Sequence, residues 1–212
     1  KQRWIVCLQL FKKGTRELAM LRHAGVWAWG SNLETGNYLP QGQESQDALP
    51  ETRRETIIGY RCQFSYAFDT SIDPSFWLLQ KDLEKRMVNL PGFNTGRKAR
   101  RDWQAEADEA SNRRYILTVP MFTKTANGLT PYRIHPWIAE GLKQTSQWKP
   151  NPDRPKAFNL QGNQLVDMAA SVPPQFSRGD VVWLSFNVYF VIGAKAWWTE
   201  LVPKVIVRVG SI

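Results

Sequence analysis

A chain of 212 residues, 42% apolar and 22% charged, is long enough for one substantial core and too apolar for intrinsic disorder. Its 28 Lys and Arg stand against 19 Asp and Glu, a net charge of +9. Residues 1–112 hold 16 basic and 14 acidic side chains and residues 113–212 hold 12 and 5, so the positive field belongs mainly to the second half, where it favours polyanions such as nucleic acids or anionic lipid surfaces.

In chain order, residues 4–11 (Trp-Ile-Val-Cys-Leu-Gln-Leu-Phe) read as a strand closed by the turn Lys12-Lys13-Gly14. Residues 15–24 fit a strand or a short helix, with Leu18, Met20 and Leu21 on neither period. Residues 26–42, rich in Gly, Asn, Trp and Pro, read as an irregular connection, and residues 41–55 as a surface loop. Residues 56–68 alternate as a strand with Ile58, Tyr60, Cys62, Phe64 and Tyr66 on one face. Asp73 as N-cap and Pro74 at the first position open the main helix, whose apolar stripe is Phe76, Trp77, Leu79, Leu83 and Met87, up to Pro91-Gly92.

A charged segment at about residues 94–114 has no apolar period and reads as an exposed helix or loop. Residues 115–121 follow as a strand, Asn127-Gly128 as a turn, and residues 145–155 as a polar, Pro-containing connection. The end of the chain reads as a β-meander: Arg178-Gly179-Asp180 leads into a strand over 181–192, a turn at Gly193-Ala194-Lys195, and extended segments over 197–202 and 204–209. The whole is a single domain over residues 1–212, strand-rich α+β, built as an antiparallel sheet or an oligonucleotide-binding-like barrel with one main helix and long loops.

No catalytic or metal constellation emerges. The two His, His23 and His135, have no His partner a turn away, and no Gly-x-Ser-x-Gly elbow, phosphate-binding loop or dinucleotide turn is present, which points to binding rather than catalysis and to no cofactor or metal. Glu106, Asp108 and Glu109 fit a solvated face better than an acid–base pair. The Arg-Gly-Asp triplet at 178–180 is better explained as a turn than as an adhesion signal. Cys7 and Cys62, the only cysteines, exclude a disulfide framework and fit buried free thiols, with one bridge left open. No apolar run reaches membrane-spanning length. The chain begins at Lys1 rather than Met, which fits removal of an amino-terminal segment. An intracellular site, the nucleus included, is the expectation.

Two features combine positive charge with flat rings, the pairing by which nucleic-acid binders neutralise phosphate and stack bases. The first is Arg97, Lys98, Arg100, Arg101 and Trp103 with Arg113, Arg114 and Tyr115, diluted by nearby acids to a net +2. The second is the tail, where Trp183, Phe186, Tyr189, Trp197 and Trp198 accompany Arg178, Lys195, Lys204 and Arg208. In an extended strand the adjacent Trp197 and Trp198 point to opposite faces, so one joins the core and the other faces outward.

The tail carries Pro173-Pro174-Gln175-Phe176, then Arg178-Gly179-Asp180-Val181-Val182, Leu184-Ser185-Phe186 and a late Val207-Arg208-Val209. It resembles a segment of uncharacterised fungal proteins that accompany transposable elements. The resemblance covers roughly the last quarter of the chain, departs at Trp197-Trp198 and carries over no catalytic residue; it implies an element-borne, DNA-associated protein. The expected function is non-enzymatic nucleic-acid binding, single-stranded DNA first, through Arg97, Lys98, Arg100, Arg101, Trp103, Arg113, Arg114, Tyr115, Lys195, Trp197, Trp198 and Lys204, with a homo-oligomer as a further partner. The alternatives are a carbohydrate- or protein-binding β-sandwich and a capsid-like structural protein.

Overall fold

The computed structural model describes residues 6–45, 47, 49, 51–101, 113–124 and 130–212. Among these residues nine strands form one mixed, open sheet: β1 (Val6–Gln9), β2 (Leu21–Gly30), β3 (Gln63–Asp69), β4 (Ala99–Arg100), β5 (Arg114–Pro120), β8 (Lys156–Gln161), β9 (Gln164–Asp167), β10 (Asp180–Ile192) and β11 (Ala196–Ser211). Their order is β5-β3-β2-β10-β11-β8-β9, with β1 also on β10 and β4 also on β11. A separate two-stranded ribbon joins β6 (Phe122–Thr123) to β7 (Lys149–Pro150). Among the described residues the α-helices are α1 (Ser75–Met87) and α2 (Pro136–Leu142).

β10 and β11 are the spine. They pair antiparallel from Asp180↔Ser211 to Ile192↔Trp197, and β10 turns Val182, Leu184, Phe186, Val188 and Phe190 inward, each at most 1% exposed. The two tail segments expected on either side of Pro203 are one strand. Phe186 pairs with Pro203 and Ser185 with Val205, so a bulge at Lys204 absorbs the proline that cannot donate to a ladder. On its other edge β10 holds β2 through 181–186 and β1 through 189–192.

The strand β2 overturns the expected irregular connection at 26–30. Its first half pairs with β10 and its second half with β3, and a register shift between Trp27 and Trp29 lets it bend from one partner to the other. That bend separates the two tryptophans: Trp27 is buried and Trp29 half-buried. Residues 56–61 are bends and turns rather than strand, and β3 begins only at Gln63. Tyr60 is accordingly exposed, while Phe64 and Tyr66 are buried together as expected, with Phe68 beside them.

The sheet is not purely antiparallel, because β8 and β4 both lie parallel to β11. Nor is it a closed barrel, since the end strands β5 and β9 do not pair with each other among the described residues. The hairpin β8–β9 and the helix α2 carry no strong period and escaped the sequence reading.

The main helix starts at Ser75, with Asp73 Oδ1 accepting the Ser75 N–H at 3.0 Å and Pro74 in the cap position. Its buried line is Phe76, Gln80 and Glu84, one per turn; Trp77, Leu79, Leu83 and Met87 are only partly buried beside it. Phe76 anchors the helix, its ring 4.8 Å from Phe68 and 5.2 Å from Tyr115. A Cβ on Gly25 would lie 2.7 Å from that ring, so glycine leaves the seat that Phe76 fills. The thiols of Cys7 and Cys62 are free, the first exposed and the second buried. No helix among the described residues is long and apolar enough to cross a membrane.

Candidate nucleic-acid interface

The two basic segments, far apart in sequence, meet in space. β4 lies along the start of β11, Ala99 opposite Ala196 and Arg100 opposite Trp197. The Arg101 N–H donates to the Trp197 carbonyl at 2.8 Å, and Lys98 Nζ donates to the Gly193 carbonyl. Asn94 shapes the approach: its Oδ1 accepts the Lys98 N–H at 3.1 Å and its Nδ2 donates to the Lys98 carbonyl at 2.7 Å. Asn94 and Arg97 sit at φ 47° and 48°, a left-handed turn that asparagine tolerates well. The result is a junction with Arg97, Arg101 and Lys195 exposed and Lys98 half-buried.

Trp197 and Trp198 divide as alternation requires. Trp197 is 4% exposed and meets the Phe93 ring edge-on at 5.0 Å; it belongs to the core. Trp198 is half-buried on the other face, its Nε1–H donating to Glu200 Oε1 at 2.7 Å. Its ring edge lies where a Cβ on Gly193 would be, 2.8 Å away, so the turn glycine gives the indole its place.

Several expected contacts have other duties. Arg100 is bound to Glu84 by Nε at 2.9 Å and Nη2 at 2.6 Å, and its guanidinium lies 5.8 Å from the Trp197 ring centre; its charge is spent inside the fold. Tyr115 is buried, with its hydroxyl donating to Gln80 Oε1 at 2.6 Å, which takes its ring away from any ligand. Arg113 and Arg114 lie at the start of β5, where the Arg113 carbonyl accepts the Thr70 N–H and Arg114 pairs with Asp69. Among the described residues, the buried chain Tyr115–Gln80–Glu84 leads from the start of β5 to Arg100. Lys204 sits seven residues along β11 from Trp197, roughly 20 Å away in an extended strand, and is 3.6 Å from Asp153. Trp103 lies outside the described residues, as does the Asn127-Gly128 turn.

Arg208 also leaves the positive surface. It is 7% exposed and 3.6 Å from Asp180. Asp180 itself is 5% exposed, and Gly179 adopts φ 90° with its N–H on the Trp27 carbonyl. The Arg-Gly-Asp triplet is therefore a turn into β10.

The histidines keep structural roles. His135 caps α2, its Nδ1 accepting the Trp137 N–H at 3.2 Å. His23 Nε2 is 2.7 Å from Ser75 Oγ, but the carboxylate of Asp73 bonds to Ser75 rather than to the imidazole, the reverse of the order that activates a serine. No group of three or more metal-ligating side chains is found among the described residues.

No protein-family model, curated protein or solved structure matches the chain.

Proposed function

We propose that the protein binds single-stranded nucleic acid, DNA first, without catalysing a reaction on it. Arg97, Lys98, Arg101 and Lys195 are its phosphate contacts and Trp198 its one flanking ring. The observation that carries this reading is the β4–β11 junction, which joins cationic segments 95 residues apart at the Lys98–Gly193 bond. Charge rather than stacking leads, because Trp197 and Tyr115 are core residues. The tail's resemblance to proteins that accompany transposable elements points the same way, to a DNA-associated role in the nucleus.

Sugar binding by exposed tryptophan is less well supported. Every described Trp is buried or half-buried, and cations lie over Trp29, Trp148 and Trp183, from Arg53, Lys124 and Arg22, at 5.7, 5.0 and 5.3 Å.

Anisotropy titration of labelled oligothymidine and of a duplex, at low and at physiological salt, tests the reading. Single strands are expected to bind more tightly, with log K falling by about 0.7 per phosphate contact for each tenfold rise in salt. The double variant Arg97→Ala/Lys195→Ala should flatten that slope by about 1.4. Absence of binding, or a slope indifferent to the double variant, would overturn it.

A further inference from the structure

The central strands are apolar on both faces. On the inner face of β10, Val182, Leu184 and Phe186 are buried, and α1 packs there with the Phe76 ring in the seat left by Gly25, the residue paired with Val182. A face left to water alternates polar residues with those inward ones. The outer face does not follow that rule.

Strand register fixes what the outer face presents, because residues paired across a ladder lie on the same side of the sheet. One row crosses five strands as Ala24, Trp183, Val207, Phe158 and Asp167, on β2, β10, β11, β8 and β9. The row on one side of it holds Arg22, Ser185, Val205 and Lys156. The row on the other side holds Val26 with Val181 and Leu160 with Leu165. This face is open: Arg22, Ala24, Lys156 and Asp167 are exposed, as are Leu160 by 40% and Leu165 by 57%. Trp183 and Phe158 are half-buried.

The surface that matches this face is the same face on a second copy. A two-fold axis along β11 lays the second copy's β9 over β2 and its β8 over β10, and such an interface is self-complementary by symmetry. Within the central row, Val207 then meets Val207 and Trp183 meets the second copy's Phe158, twice over. Leu160 and Leu165 fall on Val181 and Val26. Arg22, at one margin, stands one row from the second copy's Asp167, at the other margin, and Lys156 falls on Ser185. Charge thus meets opposite charge or a hydroxyl, and the leucines and rings meet apolar groups. A polyanion or an anionic bilayer finds no such match, because Asp167 offsets the exposed cations and the Arg22 guanidinium already lies 5.3 Å from the Trp183 ring centre.

Five strands about 4.8 Å apart and three rows about 6.8 Å apart make a face of roughly 500 Å². Two such faces bury about 1,000 Å², which is the threshold of a specific interface and the range of weak, exchanging pairs. We propose that two copies of the chain associate through the outer face of β2, β10, β11, β8 and β9, as a two-fold dimer with its sheets aligned. Val207, at its centre, is ten residues along β11 from Trp197, roughly 33 Å in an extended strand. Arg97 and Lys195 lie outside the contact, and the dimer does not depend on their role.

Sedimentation velocity of the full chain, over low to high micromolar concentration, tests the proposal; a reductant keeps the exposed Cys7 thiol from cross-linking. A concentration-dependent equilibrium of monomer and dimer is expected. Leu165→Lys should weaken it at least about tenfold with the melting temperature held. Arg22→Asp and Asp167→Arg should each do the same, because each sets like charges together at both margins. An equimolar mixture of those two variants should restore the dimer, since in the mixed pair the substituted positions face each other and so do the native ones. If Asp167→Arg fails to fold for want of the carboxylate that accepts the Ala169 N–H at 2.9 Å, Leu165→Lys decides alone. Arg97→Ala/Lys195→Ala should leave the dimer unchanged, so its failure and failure of the nucleic-acid reading are told apart. A monomer at every concentration, a dimer indifferent to Leu165→Lys, or folded charge variants that mixing does not rescue would overturn the proposal.

Discussion

Arg100 and Glu84 form a two-point ion pair under the junction, Nε to Oε2 at 2.9 Å and Nη2 to Oε1 at 2.6 Å, with side chains only 17% and 8% exposed. Glu84 Oε1 also accepts from Thr199 Oγ1 at 2.7 Å and from Gln80 Nε2 at 3.0 Å. One carboxylate thus ties α1 to β4 and to β11, and it fixes the base of the loop that presents Arg97 and Lys98. The network answers the otherwise odd choice of Gln and Glu on the buried line of a helix, because Gln80 Nε2 is met by Glu84 within the helix while Gln80 Oε1 accepts from Tyr115 and Glu84 accepts from Arg100 and Thr199, on other elements.

Arg100→Met should destabilise the fold by about 3–5 kcal/mol, because it leaves a shielded carboxylate without its counter-charge. Replacing both partners by apolar residues should recover much of that loss. Denaturant unfolding of the single and double variants measures both. If Arg100→Met were as mild as the about 0.5 kcal/mol expected of exposed Arg97→Ala, the pair would be contributing no more than a surface contact.

Trp197→Ala should cost about 3–5 kcal/mol, as deletion of a buried aromatic does. Trp198→Ala should cost about 1 kcal/mol, as is usual for a substitution outside the core. Oligonucleotide affinity should follow the opposite order once the fraction folded is allowed for. Thermal melting and fluorescence quenching on the two single variants distinguish them; equal melting losses would contradict the division of faces seen at β11.

This division was legible beforehand because it depends only on strand alternation at adjacent residues. The strand-rich α+β class, the meander of β10 and β11 and the start of α1 were legible for similar local reasons. What the sequence hid was set by distant partners. Glu84 and Gln80 look like solvent-facing positions until Arg100, Thr199 and Tyr115 arrive from elsewhere, and they rotate the buried line of α1 away from Leu79, Leu83 and Met87. Arg208 likewise counts as surface charge until Asp180 and the carbonyls of Pro173 and Gln175 surround it. Of the cationic cluster, Arg97, Lys98, Arg101 and Lys195 converge at the junction, whereas nothing in the sequence marked Phe158 as sharing a row with Trp183 and Val207.

His23 should give the fold a pH dependence near neutrality. Burial holds its pKa below the ordinary 6.5, with Asp73 pulling it partly back, and its ring packs edge-on to Phe76 at 4.5 Å. The unfolded chain then takes up the proton first, so stability falls as pH drops from about 6.5 toward the lowered folded value. Asp69 and Asp73, held below 3.8 chiefly by hydrogen bonds from Ser71 and Ser75, contribute stability that is lost only under more acidic conditions. Melting temperatures between about pH 7 and about pH 5, compared with those of His23→Asn, isolate the imidazole. The variant should show a flatter profile, and an identical slope would remove His23 from the account.

Arg208 provides the last prediction, since it holds an exposed loop against the sheet from beneath. Nε donates to Asn159 Oδ1 at 3.0 Å, Nη1 to the Gln175 carbonyl at 2.9 Å and Nη2 to the Pro173 carbonyl at 3.1 Å. Asp180, 3.6 Å away, balances the charge and accepts the Ser177 N–H at 2.8 Å. Only a planar fork can serve a side chain on β8 and two loop carbonyls at once, so lysine is not a conservative exchange here. Arg208→Met should cost about 3–5 kcal/mol by stranding Asp180, and Arg208→Lys should cost less while still releasing the carbonyls. Trypsin offers a local readout, because the Arg178 side chain is 79% exposed at the end of that loop. Cleavage after Arg178 should accelerate in Arg208→Lys under conditions where the rest of the chain stays folded. A cleavage rate equal to that of the unaltered protein would mean that the loop is held by Phe176 stacked on Trp27 at 4.5 Å rather than by the arginine.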